Sequence, residues 1–223
     1  MKTLFLFFFA AALLEAEPLA DVLAHMDRAA AEFRSVSAKM KRVQFTAVLS
    51  ESSEMTGVMR LRRSKSGVVG VVEFGEPEPR TVFVNGNKVE VYYPKAKSIE
   101  IYDASKYSSH IDQLLTLGFG TTSAELRKSY DIKEGGEQSI GGVMATRLEL
   151  TPNAKSIELK KLITKIELWI PEGQGNPLRE KISEPSRNYE LVDYTDTKIN
   201  PALPDTAFEL KPPAGVKRIQ PQK

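Results

Sequence analysis

The sequence predicts a mainly β fold, in which about eleven antiparallel strands follow an N-terminal helix and are interrupted by short middle helices. Three observations predict it: an apolar stripe at helical spacing, long stretches in which apolar and polar residues alternate, and glycines and prolines at short intervals between them. A sheet of this many strands is expected to curl into a barrel or a strongly bent sheet. The amphipathic helices then have one apolar surface to cover, the concave face of that sheet.

The first sixteen residues are typical of a signal peptide, because Lys2 precedes an unbroken apolar run from Leu4 to Leu14 and Ala16 offers a small residue for cleavage. The run is short for a membrane span, and a buried N-terminal helix is the alternative interpretation. The chain has no cysteine, which excludes disulfides, thiol chemistry and a lipid anchor on an N-terminal cysteine. We therefore expect residues 1–16 to be removed and residues 17–223 to form a single soluble domain in the periplasm.

A helix is predicted at the start of the mature chain, where apolar residues share one face. They are Leu19, Leu23, Met26, Ala30 and Phe33. Alternating apolar residues then predict strands over 43–49, 55–63, 68–74 and 98–102. Asn85-Gly86 between two alternating runs predicts a hairpin with a type I′ turn, and a second turn is expected at 94–97. The first half is thus predicted to form about six short strands, each antiparallel to the next.

The middle of the chain is predicted to be helical. Ile111, Leu114 and Leu115 share one face of a short helix that ends at Gly118. Thr122 and Glu125 have the spacing of a capping box, which predicts the start of a second short helix. Further strands are expected at about 130–134, 143–151, 160–170, 178–183, 188–198 and 207–211. The chain has no internal repeat and no low-complexity linker, which favours one domain.

Charge and histidine content argue against nucleic-acid binding and against catalysis. The 31 basic and 29 acidic residues give a net charge of +2 and are interspersed, as on an ordinary solvated surface. The two histidines, His25 and His110, are far apart in sequence, and without cysteine they give no metal-ligand spacing and no persuasive nucleophile–base pair. We therefore expect a protein that is not an enzyme and that needs no cofactor or metal.

Three motifs, spread in order over most of the mature chain, resemble the LolA family of periplasmic lipoprotein carriers. They are GVMRLRR, VFVNGNKVEVYYPKAKSI and FELKPPAGVKRI. The resemblance implies an incomplete antiparallel β-barrel whose helices form a lid over an apolar cavity. It also implies that the last strand ends at Pro212 and Pro213, which cannot donate to a β-ladder. Ser64 stands where the family usually has proline, and the strand region KIELWIPEGQGNPLREKI is closer to the broader group of LolA-like proteins.

The resemblance implies a carrier that binds the acyl chains of lipoproteins and shuttles them from the inner to the outer membrane. Each methylene kept from water is worth about 0.8 kcal/mol, so exposing one sixteen-carbon chain costs on the order of 12 kcal/mol. The partners would be acylated lipoproteins or lipids, an inner-membrane exporter and an outer-membrane acceptor, and the carrier would be a monomer that binds no nucleic acid. Two alternatives stay open: a carrier of free lipid or glycolipid, and an envelope sensor or interaction module with a filled core. A hydrolase is the least favoured class.

Arg63 is the candidate lid latch. In the family pattern this arginine points inward and hydrogen-bonds backbone carbonyls of the lid, and in this sequence it shares strand parity with Met59 and Leu61. The alternative is a strand-end arginine whose charged head reaches solvent. The residues expected to line the cavity are Phe45, Met55, Met59, Leu61, Ile111, Leu114, Leu115 and Trp169. The tryptophan and the methionines are also typical of an ordinary packed core.

Overall fold

The computed structural model describes residues 18–65, 67–103, 105 and 117–221. The predicted leader, His110 and three of the predicted cavity-lining residues, Ile111, Leu114 and Leu115, lie outside the described residues. The helices of the described chain are α1 (Leu19–Glu32), α2 (Ser123–Ser129), α3 (Ile157–Leu162) and a 3₁₀ helix (Asp205–Phe208). Its strands are β1 (Ser35–Thr46), β2 (Glu51–Ser64), β3 (Gly67–Phe74), β4 (Arg80–Asn85), β5 (Lys88–Tyr93), β6 (Ser98–Asp103), β7 (Tyr130–Ile140), β8 (Val143–Pro152), β9 (Lys165–Pro171), β10 (Arg179–Ser183), β11 (Tyr189–Ile199) and β12 (Lys217–Ile219). In this part of the chain no helix is both long and apolar enough to cross a membrane.

All these strands belong to one 12-stranded sheet, in the order β12-β6-β5-β4-β3-β2-β1-β11-β10-β9-β8-β7. Neighbouring strands pair antiparallel, except that β12 pairs parallel with β6. The two halves of the chain meet where β1 pairs with β11, a register that places Met40 opposite Tyr194. The outer strands β7 and β12 do not pair with each other, so the sheet is open. The predicted incomplete antiparallel barrel with helices is confirmed.

Helix α1 packs on the part of the sheet that contains β7, β8 and β9. Its residues Val22, Leu23 and Met26 belong to a first core cluster. The strand residues of that cluster without exposed surface are Leu148, Leu150, Ile166 and Leu168. Burying an aliphatic side chain of this size contributes about 1.5–3 kcal/mol, so this cluster is a main source of stability for that half of the sheet. The predicted apolar face of this helix is confirmed by the burial of Leu23 and Met26. The prediction did not include Val22, which is 0% exposed.

The capping box predicted at the start of α2 is confirmed. The amide of Glu125 donates to Oγ1 of Thr122 at 3.2 Å, and the amide of Thr122 donates to Oε2 of Glu125 at 2.8 Å. The carboxylate of Asp27 on α1 also accepts hydrogen bonds from the amide and the hydroxyl of Ser123, at 2.6 and 2.7 Å. The start of α2 is therefore fixed to α1, and Leu126 enters the first core cluster.

The hairpin predicted at Asn85-Gly86 is present, with its turn one residue further along the chain. Asn85 pairs with Lys88, so Gly86 and Asn87 form the loop. Gly86 has φ 55°, and Asn87 does not have a positive φ. A positive φ at the first loop position alone is the pattern of a type II′ turn, which replaces the expected type I′ turn.

The strand expected at 43–49 differs in both of its bounds. β1 begins at Ser35 and ends at Thr46, and residues 47–50 form the turn to β2. The apolar alternation continues into this turn, but Val48 and Leu49 are 89% and 63% exposed there. The alternation of apolar residues over 43–49 therefore covers the end of a strand and an exposed apolar turn.

The strand expected at 160–170 is shorter than predicted. Residues 157–162 form α3, and β9 begins at Lys165. Leu159 and Ile163, four residues apart, are both buried in the first core cluster, which is helical spacing.

The strand expected at 207–211 is absent from the described chain. The 3₁₀ helix occupies Asp205–Phe208, and the last strand, β12, follows the two prolines instead of ending at them. Phe208 is 4% exposed and lies under the guanidinium of Arg62, 4.4 Å from its ring centre. This contact anchors the 3₁₀ helix beside β2, while Pro212 and Pro213, which have no amide hydrogen, form the connection to β12.

Candidate functional site

The concave face of the sheet carries a cavity of about 300 Å³ between β4 and β10. Its apolar lining consists of Met40, Met59, Val72, Phe74, Val82, Ile182 and Val192. Its polar lining consists of Arg42, Arg80, Glu180, Glu190 and Tyr194. The volume is at the lower end of the range of about 300–1,000 Å³ for ligand pockets, and an apolar lining with a few polar groups is their usual composition.

A second core cluster closes one end of the cavity. It contains Phe33 at the end of α1, Val36 on β1, Leu61 on β2 and Phe119 from the loop that precedes α2. The ring of Phe119 packs edge-on against Tyr194, with 5.2 Å between ring centres. The loop 117–121, all of whose residues are buried, is therefore packed against the concave face of the sheet.

Arg63 makes a polar contact between β2 and this loop. Its Nη2 donates a hydrogen bond to the carbonyl oxygen of Gly120 at 2.9 Å, and its guanidinium lies 5.8 Å from the ring centre of Phe33. A Cβ at Gly120 would lie 2.6 Å from a ring carbon of Phe33, so glycine is required for this close approach. Arg63 as a whole residue is exposed at the end of β2.

The two neighbouring arginines on β2 point to the opposite face of the sheet. Arg60 pairs with Glu73 at 2.7 Å, and Arg62 pairs with Asp205 of the 3₁₀ helix. Their side chains are 23% and 34% exposed. Both are half-buried and paired with carboxylates, so neither is a freely solvated surface arginine.

A buried polar pair lies inside the cavity. The hydroxyl of Tyr194 donates to Oε2 of Glu180 at 3.1 Å. Burial raises the pKa of the Glu180 carboxyl to about 8, the hydrogen bond from Tyr194 opposes part of that increase, and the negative charge of Glu190 adds to it. Burial and then the charge of Glu180 raise the pKa of Tyr194 well above its usual range. At neutral pH both side chains therefore keep their protons for most of the time.

Two guanidinium groups flank Phe74 at the other end of the cavity. Those of Arg42 and Arg80 lie 5.8 and 5.1 Å from its ring centre. Nη2 of Arg42 donates to Oε2 of Glu190 at 2.6 Å. Nη1 of Arg42 is buried, and no acceptor among the described residues is within hydrogen-bond reach of it. Arg42 therefore has an unused hydrogen-bond donor, which is buried beside this end of the cavity and becomes available to a ligand when the side chain turns.

The predicted lining residues occupy several different positions. Met59 lines the cavity, while Leu61 and Met55 are buried on the same face of β2, and Leu61 belongs to the second core cluster. Phe45 has the opposite strand parity to Met40 and stacks on Tyr189, with 5.0 Å between ring centres. It therefore lies on the convex face, not in the cavity.

Trp169 is also placed outside the cavity. It alternates with Leu168 and Ile170, which pack in the first core cluster, so its ring is on the other face of β9. Its Nε1 donates to Oε1 of Gln138 at 2.9 Å, and the guanidinium of Arg179 lies 5.9 Å from its ring. Within the described ranges, no group of three or more His, Cys, Asp or Glu side chains is arranged to hold a metal ion.

Sequence reasoning missed the polar lining of the cavity. Glu190, Val192 and Tyr194 share one face of β11, and this period-two alternation is visible in the sequence. The signal that Arg42 faces inward is its parity with Met40 on β1. A charged residue that shares strand parity with apolar residues, as Arg42 does with Met40 and Glu190 with Val192, is the pattern that identifies the polar lining in the sequence.

No protein-family model matches the sequence, and a comparison with curated proteins finds no similar sequence. Solved structures do match. An uncharacterised conserved protein from Thermus thermophilus is similar with a TM-score of 0.55 at 13% identity, over 90% of this chain and 98% of that protein. MucB matches with a TM-score of 0.52 at 15% identity, over 86% of this chain and 62% of MucB. The lipoprotein LppX from Mycobacterium tuberculosis matches with a TM-score of 0.50 at 15% identity, over 83% of this chain and 99% of LppX.

A LolA superfamily protein from Nitrosomonas europaea also matches at 14% identity, over 87% of this chain and 99% of that one, with a TM-score of 0.40. The fold is shared with the Thermus thermophilus protein, MucB and LppX. Its open antiparallel sheet with helices on the concave face is the architecture that the sequence resemblance predicts. At these identities the likeness concerns the fold alone.

Proposed function

We propose that the protein binds an acyl chain in the concave cavity and carries it through the periplasm without chemical conversion. The observation that carries this proposal is the cavity itself, with an apolar lining and a volume of about 300 Å³. Met40 and Met59 contribute flexible, polarizable side chains, which adapt to a mobile chain. Each methylene transferred from water into such a lining gains about 0.8 kcal/mol, which supplies the binding energy.

Arg63 is proposed as the latch that holds loop 117–121 on the sheet when the cavity is empty. Hydrogen bonds that involve a charged group contribute about 1.5–3 kcal/mol. Burial of about four methylenes offsets this amount. An incoming acyl chain therefore has enough energy to displace the loop, and release of the chain allows the Arg63–Gly120 hydrogen bond to form again.

The cargo is proposed to be the acylated N-terminus of lipoproteins, moved as a monomeric complex from an inner-membrane exporter to an outer-membrane acceptor. The LolA-like fold and the motif order of the sequence support this cargo. The same cavity suits a free lipid, and an envelope interaction module would use the fold without any acyl ligand. These alternatives differ in one observable, the molecule that occupies the cavity.

Displacement of a neutral fluorescent naphthylamine probe by a synthetic acylated lipopeptide tests the proposal. Met59→Trp fills the cavity and is expected to abolish probe and lipopeptide binding, because the lining has no space for the larger ring. Met144→Trp is the matched control, since Met144 is 40% exposed on β8, away from the cavity. Equal binding by wild type and Met59→Trp would contradict the proposal, as would an absence of binding to the folded wild type.

A further inference from the structure

We propose that the cavity takes a fatty acid tail-first, with its carboxylate bound by Arg42 and Arg80. This inference rests on the proposed function, since it assumes that the cavity binds an acyl chain, and it favours a free lipid as the cargo, because the acylated N-terminus of a lipoprotein has no free carboxylate. The geometry that carries it is an apolar interior that is closed at one end by aromatic residues and flanked at the other by two guanidiniums.

The direction of entry follows from the course of β1. The amide of Arg63 donates to the carbonyl of Arg34 at 2.8 Å, so the latch lies at the beginning of β1. Arg42 lies eight residues further along that strand, which is roughly 26 Å at the usual rise per residue. Met40 lies between them. A tail directed toward the latch therefore leaves its head group beside Arg42.

The guanidiniums at this end have donors to offer. Arg42 uses Nη2 for Glu190, and its buried Nη1 has no acceptor among the described residues. A buried donor without a partner is unfavourable, and a ligand carboxylate would satisfy it. Arg80 pairs only loosely with Glu78, at 3.6 Å, and the Glu78 side chain is 76% exposed. Both arginines can thus turn to a ligand without giving up a strong internal pair.

The charge of the lining complements a carboxylate. It contains two guanidiniums and two carboxyl groups, those of Glu180 and Glu190, and burial raises the pKa of Glu180 to about 8, so that Glu180 carries little negative charge at neutral pH. Tyr194 is neutral. The lining therefore has one excess positive charge, which a single carboxylate neutralises. A neutral head group would leave the Arg42 donor without a charged acceptor.

The test compares decanoic acid with decanol as competitors of the neutral naphthylamine probe, at pH 7. Decanoate is expected to bind at least about tenfold more tightly than decanol, which is the ratio that one charge-assisted hydrogen bond provides. Arg80→Met should remove most of this preference and leave decanol unchanged. Arg42→Met should do the same, although it also takes the partner from Glu190. Thermal unfolding establishes that each variant is folded.

Arg60→Met is the matched control. Arg60 is on the other face of the sheet, and its side chain is 23% exposed, compared with 21% for Arg80. It should retain the preference for decanoate. Equal affinities for decanoate and decanol in wild type would overturn the carboxylate site and leave the proposed function standing. The carboxylate site would also be overturned if Arg60→Met lost as much of the preference for decanoate as Arg80→Met. Failure of both decanoate and decanol to displace the probe would refute acyl binding itself.

Discussion

Glu180→Gln is expected to stabilise the protein near pH 8 and to have little effect near pH 4. Glu180 is 6% exposed in the cavity, where it accepts a hydrogen bond from Tyr194. Glutamine has the same shape and keeps an oxygen that accepts this bond, but it cannot ionise. The substitution therefore isolates the free energy of holding a carboxylate in a largely apolar site.

The magnitude follows from the pKa of Glu180, which is raised from an ordinary value of 4.5 to about 8, mainly by burial. Each unit of pKa difference is worth about 1.36 kcal/mol, so the effect is a few kcal/mol and about 5 at most. Between these two pKa values the folded state binds more protons than the unfolded state, so the free energy of unfolding falls as the pH rises. The stability that protonated Glu180 contributes is fully present below the pKa of the unfolded state, and it is lost as the pH rises to about 8.

Urea unfolding of wild type and Glu180→Gln at several pH values between 4 and 9 measures this difference, and subtraction of the two curves removes the contribution of other titrating groups. The difference should grow with pH in favour of the variant. Glu184→Gln, at an exposed position in the turn after β10, is the control and should change stability by less than about 0.5 kcal/mol throughout. A difference that does not depend on pH would refute the burial of an ionisable Glu180.

Three further outcomes are expected. Arg63→Leu should speed amide hydrogen exchange in loop 117–121 and slow the release of an acylated probe, whereas Arg60→Leu, on the other face of the sheet, should change neither rate. Equal behaviour of the two variants would exclude the latch. Gly120→Ala should destabilise the fold by about 1–3 kcal/mol because its Cβ meets Phe33, whereas Gly75→Ala, whose Cβ would be 3.8 Å from its nearest neighbour, should be tolerated in thermal unfolding. Thr122→Ala should cost about 1 kcal/mol in urea unfolding through loss of the α2 cap, and an unchanged midpoint would contradict that role.

Local sequence patterns predict those elements that nearby residues specify. The α2 cap depends on Thr122 and Glu125, which are three residues apart, and the hairpin depends on Gly86, so both could be located in the sequence. Strand parity likewise placed Met59 on the face that lines the cavity. In each case the contacts that decide the structure lie within a few residues of one another.

Elements that depend on distant partners are predicted less well. β12 exists because Lys217 pairs with Ser98, and nothing in residues 217–219 alone specifies a parallel partner. The cavity requires Glu180 of β10 to lie opposite Val192 of β11, a register that no local pattern reveals. Phe45 shows the same limit, because its apolar character predicts that it packs against other side chains but does not indicate that its stacking partner is Tyr189, which is distant in sequence.

Photo-crosslinking shows whether an acyl chain occupies the concave cavity. A fatty chain with a diazirine at its end is bound, irradiated and located by mass spectrometry of the digested protein. We expect labels on peptides that contain Met40, Met59 or Val72, and loss of this labelling in Met59→Trp. Labels concentrated near Phe45 or Trp169 on the convex face, and unchanged by Met59→Trp, would contradict this expectation.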